Sequence, residues 1–339
     1  MTQKRPFTLY WSSLDRYEKC PQQFLWGKGW GAIDCGGGPG KKKPKPYERD
    51  RSAALMGIAI QFAIERMYKD HLWRHPGLLE RLQELAADEL KRLCHKEYVD
   101  FRKIARSEME SVVAAGVEGW LRTFKEYKLI GPYAEPEIDL VGFVNKWTPI
   151  GGRADLIFKR EDTGVTIIDG KNSRRYKDTK DKTGKGWITY TDPDQLRWYA
   201  LCFYVAYHKL PDRLGFVYYR YPYGDPMFHQ DGTPFLDEEG NQQFEPGVHW
   251  VDFSKEDIKG LAHRAVEARK GMDREKFPAK PSPDQCRYCD WESVCPQRQA
   301  QKEANRRTRK PGAATLDVSV GAAFTIGFGP GGSTGPKKG

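Results

Sequence analysis

The stretch GGRADLIFKREDTGVTIIDGK, residues 151–171, is a pair of apolar runs joined by a short polar turn. Both runs carry the branched and aromatic residues that favour strands. Between them, Asp162-Thr163-Gly164 supplies a three-residue loop that ends on glycine, the residue best suited to a left-handed position. A β-hairpin follows. With that loop Glu161 faces Val165, which puts Asp155 opposite Lys171 and Ile157 opposite Asp169. Opposed residues share a face, as do residues two apart on one strand. Asp155, Asp169 and Lys171 are therefore expected together on one face. A register change of a single residue would separate them, so the expectation depends on the turn.

Two carboxylates at close range repel unless a cation lies between them, and hard ions such as Mg²⁺ favour oxygen ligands. A lysine beside such an ion can steady a nucleophilic water. A salt-bridged, solvated strand face would use the same residue types. Glu137, on the preceding run EPEIDLVGFV, is a candidate third carboxylate.

The 339 residues can bury a substantial core, as one large domain or two modest ones. The excess of 56 basic over 46 acidic residues gives a net charge of +10, which suits a polyanionic partner such as nucleic acid. No apolar run approaches the roughly 18 residues that span a bilayer, and the N-terminus (MTQKRPFTLYW) has no signal-peptide core. The expectation is a cytoplasmic protein without membrane partners. In a reducing compartment clustered cysteines point to metal rather than disulfides.

Outside the hairpin, 8–26 reads as a short helix opening at Ser12 or Ser13. Helical spacing recurs over 52–73 and 78–130, where Leu78, Leu79, Leu82, Leu85 and Leu90 form an apolar set. From 135 to 171 three runs separated by turns predict a β-meander. A helix over 193–208, a strand over 214–222 and a long helix over 254–275 complete the pattern. Residues 31–50, rich in Gly, Pro and Lys, read as a loop, and the Gly/Pro/Lys tail beyond about 311 reads as disordered. The chain thus divides into one folded domain, 1–310, and a tail, 311–339.

On the 193–208 helix, Gln195 and Tyr199 are four apart and share a face. Between strand and helix, residues 172–191 interleave Arg174, Arg175 and Lys177 with the aromatics Tyr176, Trp187 and Tyr190. That mixture suits a single nucleic-acid strand, whose phosphates and base faces both need partners, and equally suits a solvated charged loop. Near the C-terminus QCRYCDWESVCPQ spaces Cys286, Cys289 and Cys295 as C-x₂-C-x₅-C. Cys20 is the candidate fourth ligand because, like Cys295, it precedes a proline. Spacing alone leaves zinc and iron–sulfur both open. The isolated Cys35, Cys94 and Cys202 read as structural.

In combination, SSLDRYEKCPQQF (12–24), GGRADLIF (151–158), IIDGK (167–171), QLRWY (195–199) and the cysteine triplet resemble the PD-(D/E)XK nuclease superfamily. The nearest likeness is to its RecB-type branch with an iron–sulfur cluster, which includes the Cas4 exonucleases and the AddB nuclease domain. The resemblance implies an α/β, restriction-endonuclease-like core: a central mixed sheet flanked by helices, with the cluster stapling the N- and C-terminal segments. It implies that Asp155, Asp169 and the Gly170 carbonyl ligate Mg²⁺ or Mn²⁺, that Lys171 positions the attacking water, and that Gln195 and Tyr199 support the site. It also implies a [4Fe–4S] cluster on Cys20, Cys286, Cys289 and Cys295. The expected activity is metal-dependent hydrolysis of DNA, with exonuclease action on single strands, and Arg174, Arg175, Lys177 and Trp187 as DNA contacts. The chain contains no G-x-x-x-x-G-K-[ST] segment, so any coupled helicase is a separate protein.

One departure stands out. Where the family pattern G-x-x-x-H-x-x-x-E places a metal-binding histidine, GIAIQFAIE (57–65) places Gln61, with Glu65 four residues on. A glutamine offers oxygen to Mg²⁺ or Mn²⁺ but serves softer ions less well than imidazole. Two other readings follow: a DNA-binding accessory protein with a silent site, and a zinc-stapled RNA-processing factor.

Overall fold

The computed structural model describes residues 7–28, 50–171, 192–218, 247–286 and 291–308, the pieces 179–180, 187–188 and 233–234, and single residues 236, 240 and 289. Its first elements are β1 (Leu9–Tyr10), α1 (Trp11–Lys19), α2 (Pro21–Lys28), α3 (Ser52–Lys69), a 3₁₀ turn (Leu72–Arg74), α4 (Leu78–Cys94) and α5 (Arg106–Glu126). The meander follows as β2 (Ala134–Asn145), β3 (Thr148–Arg160) and β4 (Gly164–Lys171), then two short strands, β5 (Thr179–Lys180) and β6 (Trp187–Ile188). The chain continues through α6 (Asp194–Tyr207), β7 (Arg213–Tyr218), β8 (Val248–Trp250), α7 (Lys255–Asp273), α8 (Pro283–Cys286) and α9 (Pro296–Thr308).

Two expected helices are each divided. The 8–26 segment gives β1, α1 and α2, with the break at Cys20, whose backbone is extended (φ −156°, ψ 99°). Pro21 explains the break: the residue before a proline is pushed out of the helical region, while proline itself fits the first turn of the next helix. The 78–130 segment gives α4 and α5, and Ala105, at ψ 149°, marks where the second begins.

The main sheet runs β1-β3-β4-β7-β8, with β2 on the other edge of β3. It is mixed, because β1 lies parallel to β3 and β7 parallel to β4, while the other pairs are antiparallel. One face carries α1, α6 and α7 over a core that includes Ile150, Ala154, Ile157, Ile167 and Phe216. The opposite face carries α3, α4 and α5 over Leu156, Phe158, Ile168 and Val217. Helical spacing on α5 buries Met109, Val113, Val117, Trp120 and Phe124 against that second face.

Two irregularities shape the middle of the sheet. The first is a gap on the edge of β3 away from β2, where β1 pairs with Ile150 and Gly151 and β4 pairs only from Leu156 onward. Residues 152–155 lie between these ladders. The second is a change of face. Ala154 packs in one core and Leu156 in the other, although residues two apart on a regular strand share a face. β2 changes at the same level, with Ala134 against one core and Leu140 in the other. Glu137, at that level, takes a left-handed backbone (φ 54°). Asp155 therefore sits where the pleat reverses and the sheet opens.

Candidate active site

The hairpin forms as expected, but its register differs. Arg160 pairs with Gly164 and Leu156 with Ile168, so by continuation Asp155 faces Asp169 rather than Lys171. The turn is Glu161-Asp162-Thr163, and Gly164, with φ +69°, already belongs to the ladder. The displacement is two residues, which preserves side-chain parity. The three polar residues still converge, now with the two aspartates as the directly opposed pair.

Their local bonds are specific. Asp155 Oδ2 accepts a hydrogen bond from the Gly170 N–H at 2.9 Å across the gap. Lys171 Nζ pairs with Asp169 Oδ2 and donates to Gln195 Oε1 at 2.8 Å. The same ammonium lies 5.4 Å from the centre of the Phe216 ring, on β7 beside Asp169. Gln195 Nε2 donates to Asp169 Oδ1 at 3.2 Å and to the Tyr199 hydroxyl at 3.1 Å. One turn of α6 thus supplies both helical partners, as the four-residue spacing anticipates. Close approach of that helix depends on glycine: a Cβ at Gly152 would lie 2.9 Å from Tyr199 Cδ1.

Burial raises the pKa of Asp155, and the neighbouring Asp169 charge raises it further. Asp169, only 2% exposed, is also raised by burial, against the opposing pull of Lys171. Burial, reinforced by the charge of Asp169, pushes the Tyr199 hydroxyl well above its usual range, so it remains neutral. Asp169 Oδ2 is buried and makes no hydrogen bond besides its ion pair with Lys171. Two buried carboxyl groups at the same level of the hairpin, both reluctant to ionise side by side, fit a divalent cation between them.

Gln61, on α3, reaches this cluster through Glu137: its Nε2 donates to Glu137 Oε1 at 3.1 Å. Glu137 also lies 3.8 Å from Arg153. Its carboxyl is raised by burial and then by Glu65. Phe216 had no signal in the sequence, because nothing distinguishes it from another core residue until β7 is set beside β4.

The four cysteines expected to share a cluster, Cys20, Cys286, Cys289 and Cys295, line one cavity with Trp26. Burial and then the other three thiols push Cys289 up to about 11. Sharing a cavity is less than forming a ligand set. Among the described residues no group of three or more His, Cys, Asp or Glu side chains is placed to hold a metal ion. The chain ends are nevertheless joined here by packing: Tyr17 donates to the Lys276 carbonyl at 2.9 Å, and Phe24 stacks on Phe277. Cys202 is buried and Cys94 half-buried. Arg174, Arg175, Lys177 and Cys35 lie outside the described residues, as does the Trp187 side chain. Among the described residues no helix is long and apolar enough to cross a membrane.

A family model for the PD-(D/E)XK nuclease superfamily matches residues 10–296. No curated protein matches the chain. Among solved structures, the one described as the crystal structure of SSO0001 is 15% identical over 72% of this chain and 85% of that one, with a TM-score of 0.28. No property of this chain follows from a likeness of that size.

Proposed function

Since this chain belongs to the PD-(D/E)XK nuclease superfamily, whose members are metal-dependent nucleases, we propose that it is a deoxyribonuclease that degrades single-stranded DNA from its ends. The observation that carries this reading is the bonded cluster of Asp155, Asp169, Lys171 and Gln195 at the opening in the sheet. The net charge of +10 supports a polyanionic substrate.

Asp155 and Asp169 would hold Mg²⁺ or Mn²⁺, with Gly170 and Gln61 offering further oxygens. When bound, such an ion acidifies water and stabilises charge on a phosphoryl group. The protein's own part is to fix the geometry. Lys171 is held by Asp169, Gln195 and Phe216, so its ammonium presents a fixed cation to the attacking oxygen and to charge developing at phosphorus. Gln195 locks Lys171 and Asp169 together, and neutral Tyr199 fixes Gln195. End-labelled and circular single strands, incubated with Mg²⁺, Mn²⁺ or EDTA, test the proposal. Metal-dependent loss of linear substrate alone supports it; cutting of the circle shows endonuclease action, and DNA binding without cleavage favours the accessory-protein reading.

The shared cavity of Cys20, Cys286, Cys289 and Cys295 supports an iron–sulfur cluster as a structural staple. Protein purified without oxygen should then be brown and contain about four irons per chain. Cys286→Ser should lose the colour and melt at lower temperature, because the staple joins segments distant in sequence. Zinc in place of iron, in protein produced with ample iron, would rule out the cluster.

A further inference from the structure

We propose that Glu137 is a positioning residue for metal binding, which orients the Gln61 carboxamide so that its oxygen is presented toward Asp155; this rests on the nuclease reading above. Glu137 occupies a backbone conformation that costs a non-glycine residue energy (φ 54°). It does so within a strand, at the level of Asp155, bracketed by the pairs Pro136–Leu156 and Ile138–Ala154. A glycine or asparagine would adopt that backbone more readily. Nothing in the sheet requires glutamate there.

The side chain shows what the residue does. Its Oε1 accepts from Gln61 Nε2 at 3.1 Å, and the residue lies on β2 at the level of Asp155 on β3. A carboxamide has a donor end and an acceptor end of nearly equal size, and either can rotate into a given place. Glu137 Oε1 takes the nitrogen end of Gln61, which leaves the oxygen end directed away from the carboxyl group. Arg153, within 3.8 Å, holds Glu137 on its other side, and is itself held by Asp139 at 2.9 Å. The arrangement is a chain from Asp139 through Arg153 and Glu137 to Gln61. Such outer partners set the orientation and strength of the groups that meet an ion.

Calorimetric titration of the full chain with Mn²⁺, beside thermal melting in EDTA, tests this. Glu137→Gly and Glu137→Gln should each weaken Mn²⁺ about tenfold. Glu137→Gly should also melt at the parental temperature or a few degrees higher, because the backbone strain is relieved. A merely structural glutamate would give the opposite sign. Gln61→Ala should weaken Mn²⁺ similarly, and adding Glu137→Gly to it should cause no further loss, since the second residue acts through the first. Unchanged affinity in both Glu137 variants overturns the inference. So does an additive loss in the double variant, which would make Glu137 a direct ligand. Parental protein that binds no Mn²⁺, like Asp169→Ala, would instead overturn the nuclease reading itself.

Discussion

Replacing Lys171 with methionine should lower DNA cleavage by about a thousandfold, within the range expected for a positioned catalytic group. The ammonium is fixed from three directions, by Asp169, Gln195 and the Phe216 ring, which together leave it little freedom. That investment makes sense for a cation that must meet a reacting phosphate at one place. Removing one partner of a buried ion pair is often severely destabilising, by about 3–5 kcal/mol. Here the cost is smaller because Asp169 is already raised by burial and can take up a proton. Methionine also keeps an unbranched apolar stem of similar length. Lys171→Arg should fail nearly as badly, since a planar fork cannot reproduce a compact point charge. Gln195→Ala, which loosens Lys171 without deleting it, should cost less. The measurement is degradation of an end-labelled single strand, with melting temperature and DNA binding in EDTA as controls. Folded Lys171→Met protein that degrades DNA at the parental rate would remove Lys171 from the mechanism.

Much of this site was legible because strand and helix periods are strict. Period two on β4 places Asp169 and Lys171 together, and the four-residue spacing on α6 places Gln195 and Tyr199 together. The hairpin register was displaced by two residues because Gly164 enters the ladder instead of closing the loop. Parity survived, so the constellation survived, although the opposed pair changed. What the sequence hid was non-local. The reversal of pleat at Asp155 depends on helices packing from both faces of the sheet, and no local pattern records it. The left-handed backbone of Glu137 is likewise invisible, because glutamate gives no signal for that conformation. Only the meeting of α3 with β2 shows that Gln61 contacts an acid. The expected 8–26 helix divides for a local reason, Pro21, which pushes Cys20 out of the helical region.

The opposed aspartates lead to a second large effect, with a sign that distinguishes function from structure. A carboxyl whose pKa is higher in the folded than in the unfolded chain binds protons more readily when folded. Its burden on stability is absent in acid, grows as pH rises from the ordinary carboxylate range, and is complete above the folded pKa. Asp155 is such a group, raised by burial and by Asp169. Asp155→Asn deletes the charge but keeps an oxygen that can accept from the Gly170 N–H, as Asp155 does at 2.9 Å. Asp169 also keeps Lys171 as its partner. In EDTA at pH 8 the variant should therefore melt higher than the parent by about 5 °C, an advantage that disappears near pH 4. Saturating Mn²⁺ should reverse the order, because ligand stabilises only the protein that binds it. Cleavage should fall by about a thousandfold or more, since a ligand lost at the reacting centre removes several kcal/mol of transition-state stabilisation. Melting curves across pH, with and without Mn²⁺, decide the matter alongside cleavage rates. A variant less stable than the parent in EDTA at pH 8 would mean that the Asp155 charge supports the fold instead of burdening it, and parental cleavage would exclude Asp155 from the metal site.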